Sequence, residues 1–175
     1  MEIILQEYQT EEFDRLWQID QECFPPGIAY SRLELQTYMR RRGAFTVVAR
    51  GDRRLPTAAG MNLSAQENFK GIVGFIVAEA NRRRQGHIIT IDVLPGTRRA
   101  GVGSRLLRCA EEKLQAAGCD FVFLETAVDN LSAVAFYKRH LYSVVKIEPR
   151  YYSNGVDALV LGKRLADNRS HGKQT

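Results

Sequence analysis

Apolar residues recur along this chain with two spacings, short runs with strand character and stripes of helical period. Residues 2–8 read as a first strand. Phe13, Leu16 and Ile19 then share one helical face, Thr10 is placed to cap that helix, and the pattern runs to about Glu22. Ser31-Arg32-Leu33-Glu34 has capping-box spacing and opens a second helix to about Arg41. Residues 45–50 form a strand. Residues 51–71 carry the weakest pattern, with part of another strand at 58–63. Residues 72–80 and 86–93 flank Arg82-Arg83-Arg84 as the two strands of a hairpin. From Val102 the period is helical: Val102, Leu106, Ala110, Leu114 and Ala117 make a stripe, Leu107 lies beside it, and Gly118 sits at the C-terminal cap. Residues 121–126 are a strand, Asn130 caps a helix over 131–139, and residues 143–148 and 157–162 pair around Asn154-Gly155. The irregular alternation of strands and helices predicts one mixed α/β domain over residues 1–165, followed by a polar, frayed tail at 166–175.

Chemistry concentrates where a strand hands over to a helix. Thr90-Ile91-Asp92-Val93 is strand-like, Pro95 lacks the N–H that pairing needs, and Arg98-Arg99-Ala100-Gly101-Val102-Gly103-Ser104 leads into the helix. A helix N-terminus carries free N–H groups and partial positive charge, and glycines let a phosphate approach the backbone. Three readings fit this unit alone: a plain basic turn, a dinucleotide-binding turn, and a pyrophosphate cradle for coenzyme A. Glu125, 22 residues after Gly103, has near the spacing of a ribose-binding acid, but Leu106 stands where the dinucleotide fingerprint needs its third glycine. In the second unit, Glu125 near the end of an apolar strand either emerges into water or is held for chemistry. Asn130 and Tyr137, about two turns apart, share a helix face, and Tyr137 is either a core tyrosine or a functional one.

The ordered set Val93-x-Pro95, Arg98-x-x-Gly101-x-Gly103, Leu124-Glu125, Asn130 and Ala135-Phe136-Tyr137 resembles the GNAT superfamily of acetyl-CoA-dependent N-acetyltransferases, over about residues 3–165. Residues 150–161 are similar to the terminal hairpin of RimI-type ribosomal-protein alanine N-acetyltransferases. Cys23-Phe24-Pro25 and Tyr30-Ser31 are similar to that group's substrate-side loop. Three departures stand out: an insertion at 26–29, Ala100 at a position that is usually basic, and His140-Leu141-Tyr142 where a Gly-Phe pair is usual.

The resemblance implies a GNAT fold, with a mixed central sheet of about seven strands, about four helices, and a splay between the fourth and fifth strands. It implies that Ile91, Asp92 and Val93 bind the pantetheine arm of acetyl-CoA through their backbone. Arg98, Arg99, Ala100, Gly101, Val102, Gly103 and Ser104 would cradle the pyrophosphate, and Asn130 and Tyr137 would complete the cofactor site. Phe24, Pro25, Tyr30, Tyr151 and Tyr152 would line the acceptor. The implied reaction is direct attack of an amine on the acetyl thioester, with Glu125 as general base and Tyr137 as donor to the leaving thiolate. Neutralising a protein α-amine at pH 7 costs about 1–1.4 kcal/mol, against about 4.6 kcal/mol for a lysine. A single carboxylate therefore suits an N-terminal acceptor, a ribosomal protein among them. A lysine or small-amine acetyltransferase is the alternative on the same fold, and a non-catalytic acetyl-CoA-binding regulator is the alternative of another class.

Composition narrows the rest. The 175 residues are 45% apolar, with no run near the roughly 20 apolar residues of a membrane span. The acidic start, Met1-Glu2-Ile3, lacks a signal-peptide pattern, and Cys23, Cys109 and Cys119 are too far apart for a disulfide framework or a metal site. These features predict a cytoplasmic protein with no metal. The net charge of +5 is mild, and the arginine triplets read as solvated loop and helix ends rather than a nucleic-acid surface. His87, His140 and His171 are scattered and suggest no nucleophile unit.

Overall fold

The computed structural model describes residues 2–51 and 71–165; the expected strand at 58–63 and the tail at 166–175 lie outside them. The described residues form seven strands, β1 (Ile3–Glu7), β2 (Ala44–Gly51), β3 (Ile72–Ala80), β4 (Gln85–Val93), β5 (Phe121–Ala127), β6 (Ser143–Glu148) and β7 (Ala158–Arg164). They also form four α-helices, α1 (Phe13–Cys23), α2 (Arg32–Met39), α3 (Val102–Ala116) and α4 (Leu131–Arg139). The strands make one sheet in the order β1-β2-β3-β4-β5-β7-β6. Every neighbouring pair is antiparallel except β4 with β5.

Helices cover both faces. Phe13, Leu16 and Ile19 of α1 and Leu35 of α2 pack with Val48, Phe75, Val77 and Ile89 on one side. Val102, Leu106, Leu107, Ala110 and Leu114 of α3 and Tyr137 of α4 pack with Val47, Ile76, Ile88 and Leu124 on the other. Burying each of these large side chains contributes about 1.5–3 kcal/mol. Gly86 has no side chain because Leu114 occupies the space a Cβ would fill, which seats α3 against β4. Ala117, placed on the buried stripe by its spacing, is exposed, since the helix has already ended. The end is made by Gly118 at φ +89, with Gly118 N–H bonded to Gln115 O and Cys119 N–H to Leu114 O.

The capping box at Ser31 forms in both directions: Glu34 N–H donates to Ser31 Oγ and Ser31 N–H to the Glu34 carboxylate. The first helix starts differently from expectation. Gln9, not Thr10, occupies the cap, bonded through its N–H to Glu12, and a 3₁₀ turn over Thr10–Glu12 precedes α1. The Glu12 carboxylate also pairs with Arg50.

The feature that positions the site is the parting of β4 and β5. They pair over four residues only, from Gln85 with Phe121 to Ile88 with Leu124. At that point β4 is bulged: Val77 faces Thr90 and Ala78 faces Ile88, so Ile89 is an extra residue. A bulge bends its strand and ends regular pairing. Beyond it β4 follows β3 while β5 follows β7.

Candidate active site

The gap leaves backbone groups of β4 without a neighbouring strand. Ile89 O accepts the Tyr30 hydroxyl at 3.2 Å, and Val93 O accepts Arg98 Nε at 3.0 Å. In an antiparallel pair the two bonds of a residue point to one edge, and successive residues alternate. Leu94 N–H is spent on Val73 O, so Ile91 and Val93 turn their N–H groups to the open edge. The Asp92 side chain points elsewhere. It is fully buried and takes the Thr90 hydroxyl at 2.7 Å, and by the same alternation its backbone groups turn to β3, away from the open edge.

The mouth of the gap is the turn before α3. Pro95–Thr97 is a short 3₁₀ turn, and Arg98, Arg99 and Ala100 are exposed. Arg99 at φ +66 and Gly101 at φ +80 are both left-handed. The arginine conformation costs about 1–2 kcal/mol. It shapes a turn whose N–H groups face the helix start. Arg105 N–H makes the first bond back to Gly101 O, which leaves the N–H groups of Val102, Gly103 and Ser104 available. No atom lies within 4 Å of the place where a Gly101 Cβ would stand, so the cradle is open. These residues fit an approaching pyrophosphate. Asn130 caps α4 by accepting Ala133 N–H at 3.2 Å, which fixes the opposite rim.

Glu125 lies one residue beyond the last β4–β5 pair and is partly shielded. Its carboxylate meets His87 Nε2 at 2.6 Å. The His87 ring stacks on Phe123 with centroids 4.4 Å apart, and its Nδ1 lies 3.7 Å from Glu79, which in turn pairs with Arg41. Glu125 therefore does not simply emerge into water. It is held from behind by an oriented imidazole, and an ionised carboxylate can only accept that hydrogen bond. His87 is the functional residue that spacing alone missed. Its partner is 38 residues away and becomes a neighbour only through the parallel register.

The expected acceptor residues come together in part. Tyr30 rests edgewise on Tyr38 at 5.2 Å, and Tyr151 on Tyr152 at 5.0 Å. Burial raises the Tyr30, Tyr151 and Tyr152 hydroxyls, Tyr151 to about 12, and the Glu125 charge adds to each, so all three lie within electrostatic reach of that carboxylate. Ser153 Oγ donates to Gly27 O at 3.1 Å, tying the 24–30 loop to the β6–β7 loop. The insertion closes as a turn, with Ile28 and Ala29 N–H on Pro25 O. Phe24 is half-buried, with its N–H on Asp20 O at 3.0 Å, and Pro25 is exposed.

Tyr137 is buried beside Phe136 and Tyr142. Burial, then the Asp92 charge, then Tyr152, push its hydroxyl well above the usual tyrosine value, so it stays a donor. Among the described residues no group of three or more His, Cys, Asp or Glu side chains is arranged to hold a metal ion, and no helix is long and apolar enough to cross a membrane. Cys23, Cys109 and Cys119 are free thiols.

Comparison with known proteins agrees with this geometry. The chain is 35% identical over 94 residues to an uncharacterized N-acetyltransferase of Methanocaldococcus jannaschii, covering 53% of this chain and 60% of that protein. It is 35% identical over 83 residues to an N-alpha-acetyltransferase of Sulfolobus acidocaldarius, covering 47% and 49%. The chain thus spans about half the length of the curated relatives it matches. Ard1 from Thermoplasma volcanium has the same fold, with a TM-score of 0.75 over 95% of this chain and all of that one, at 22% identity. The profile of the acetyltransferase (GNAT) family matches residues 13–141, most of the chain, and the protein belongs to that family.

Proposed function

We propose that the protein transfers the acetyl group of acetyl-CoA to a free N-terminal α-amine of a protein or peptide, with the RimI-type preference for a small first residue such as Ala or Ser. The observation that carries this reading is Glu125, seated where β4 and β5 part, backed by His87 and within electrostatic reach of Tyr30, Tyr151 and Tyr152. The N-alpha-acetyltransferase among the relatives supports the same acceptor class.

Bound acetyl-CoA supplies an activated acetyl thioester. Arg98, Arg99 and the N–H groups of Gly101 to Ser104 bind its pyrophosphate, the open-edge N–H groups of Ile91 and Val93 bind its pantetheine, and Asn130 holds the far rim. The Val93 N–H would be available to the thioester oxygen and would favour the charge that develops there. Glu125 takes the proton of the acceptor ammonium, directly or through one water, while His87 fixes the orientation of its carboxylate. Tyr137 hydrogen-bonds the departing sulfur. Its raised hydroxyl makes full proton transfer to a thiolate uphill, so the proton moves late.

An α-amine also suits the shape of the site. On this reading the tyrosines and the tied loops would wall the acceptor path with aromatic rings, which a mobile chain end enters more easily than a lysine on a folded surface. Two matched peptides test this at pH 7.5, one with a free Ala terminus and no lysine, the other N-terminally blocked with one internal lysine. The free terminus should be acetylated at least about tenfold faster, and preference for the blocked lysine peptide would replace this reading with a lysine acetyltransferase.

A further inference from the structure

The cradle contains a histidine that the cofactor reading does not use. His140 is the C-cap of α4, and its Nε2 lies 2.9 Å from Ser104 Oγ in the first turn of α3. The contact joins the C-terminal end of α4 to the helix start that opens the cradle. The His140 ring leans on Phe136 with centroids 4.7 Å apart, and Phe136 in turn lies against Gly103. Phe136 thus braces the imidazole on the first turn of α3, which is the turn that offers N–H groups to a phosphate.

A serine hydroxyl has one hydrogen to give. With a neutral imidazole in its Nδ1–H tautomer, that hydrogen is donated to Nε2 and is unavailable to a ligand. With a protonated imidazole, Nε2–H donates to Ser104 Oγ, and the hydroxyl hydrogen is free to turn toward the mouth of the cradle. Resting on the assignment of the cradle to acetyl-CoA, we propose that cofactor binding takes up one proton from solvent at His140 Nε2, and that Ser104 then donates its hydroxyl to a pyrophosphate oxygen. No covalent bond changes. The proton comes from the buffer, and the hydrogen bond between Ser104 and His140 reverses direction.

The groups around the imidazole fit this role. Burial holds His140 below the ordinary histidine range, helped by the cations Lys163 of β7, Arg139 of α4 and Arg108 of α3, while Glu111 of α3 acts the other way. Glu111 is itself occupied by Lys163 at 2.8 Å and by the Tyr142 hydroxyl at 2.9 Å. The free protein therefore presents a neutral imidazole at neutral pH, and an anion in the cradle is the new charge that favours its protonated form. Arg98, Arg99 and Arg105 stay charged throughout and cannot supply such a titration.

Calorimetry of ligand binding to the full chain in buffers of different ionisation enthalpy counts the protons exchanged. Dephospho-CoA is the probe, because it keeps the pyrophosphate and lacks the phosphate monoester that itself titrates near pH 6. Near pH 6.5, net uptake of a fraction of a proton is expected. It should vanish in His140→Gln, whose amide reaches Ser104 but takes no proton, and in Ser104→Ala. His140→Asn serves the same purpose should the Gln variant not fold. Binding without uptake, or uptake unchanged in His140→Gln, overturns the proposal while leaving the cofactor assignment intact. Failure of both dephospho-CoA and acetyl-CoA to bind overturns the assignment and the proposal together.

Discussion

In the proposed reaction Glu125 and Tyr137 have opposite tasks, so their losses should look different. Glu125→Gln should lower turnover on a free-Ala peptide about 10²–10⁴-fold near pH 7, the usual worth of a general base. Part of that loss should return by about pH 9, because an α-amine with a pKa near 8 then loses its proton unaided. Tyr137→Phe should lower turnover with no such recovery, since the deficit is on the leaving sulfur. His87→Phe keeps the stack on Phe123 but removes the 2.6 Å contact, and should lower turnover less than Glu125→Gln while following the same pH recovery. Initial rates from pH 6.5 to 9.5 check all three, and a parallel profile for Glu125→Gln and Tyr137→Phe would contradict the division of labour. At this scale the sequence showed the carboxylate and the phenol by their places in the chain, but not the imidazole. The imidazole follows only from the parallel register, in which His87 lies opposite Phe123 and so diagonally, two residues back, from Glu125.

The elements place these groups through a handful of close approaches. A Cβ on Gly103 would stand 3.4 Å from the Phe136 ring and 3.7 Å from Val93. Gly103→Ala is therefore tolerated, whereas the two methyls of Gly103→Val must push into α4 or into the gap. Overpacking of this kind costs about 1–3 kcal/mol. Because the open side of the site is the cofactor path, the expected loss is in acetyl-CoA affinity, about tenfold or more, with circular dichroism unchanged. Equal affinity of a folded Gly103→Val protein in calorimetry would remove the turn from the cofactor site. Strands, helices and caps were largely legible, because Ser31-Glu34, Asn130 and Gly118 carry local signals that need no tertiary partner. The start of α1 was not, since a 3₁₀ turn capped by Gln9 and Glu12 precedes it and the Glu12 carboxylate is also held by Arg50 from β2. Nor was the splay legible from periodicity. Ile89 continues a β-branched run, and only its position opposite β3 makes it a bulge; the family resemblance supplied that expectation.

At the scale of the whole molecule, two buried carboxyls join the acceptor wall to the cofactor strand. Asp20 of α1 and Asp92 of β4 are both fully buried, and each has an oxygen, Asp20 Oδ1 and Asp92 Oδ2, with no hydrogen-bond partner among the described residues. The other oxygen of Asp20 accepts Tyr30 N–H and Gln21 Nε2, both at 2.9 Å, so this residue anchors the loop that brings Tyr30 to Glu125. Burial raises Asp20 to about 6 and Asp92 well above the carboxylate range, and the charge of Asp20 adds to the rise at Asp92. A folded value above the unfolded one means that the fold favours the protonated acid. Its contribution to stability is complete below about pH 4 and is lost as pH rises through about 6 for Asp20, and higher for Asp92. A shift of two pKa units corresponds to about 2–3 kcal/mol. Asp20→Asn keeps an acceptor for Tyr30 N–H and carries no charge at any pH. Relative to the natural protein, it should therefore gain stability between pH 4.5 and pH 8, by up to about 2 kcal/mol or several degrees in Tm. Thermal unfolding of both proteins at the two pH values reads this directly. A Tm difference that stays constant, or moves against Asp20→Asn as pH rises, would mean that Asp20 is ionised in the folded protein and that the anchor of the acceptor loop is a charge rather than a neutral acid.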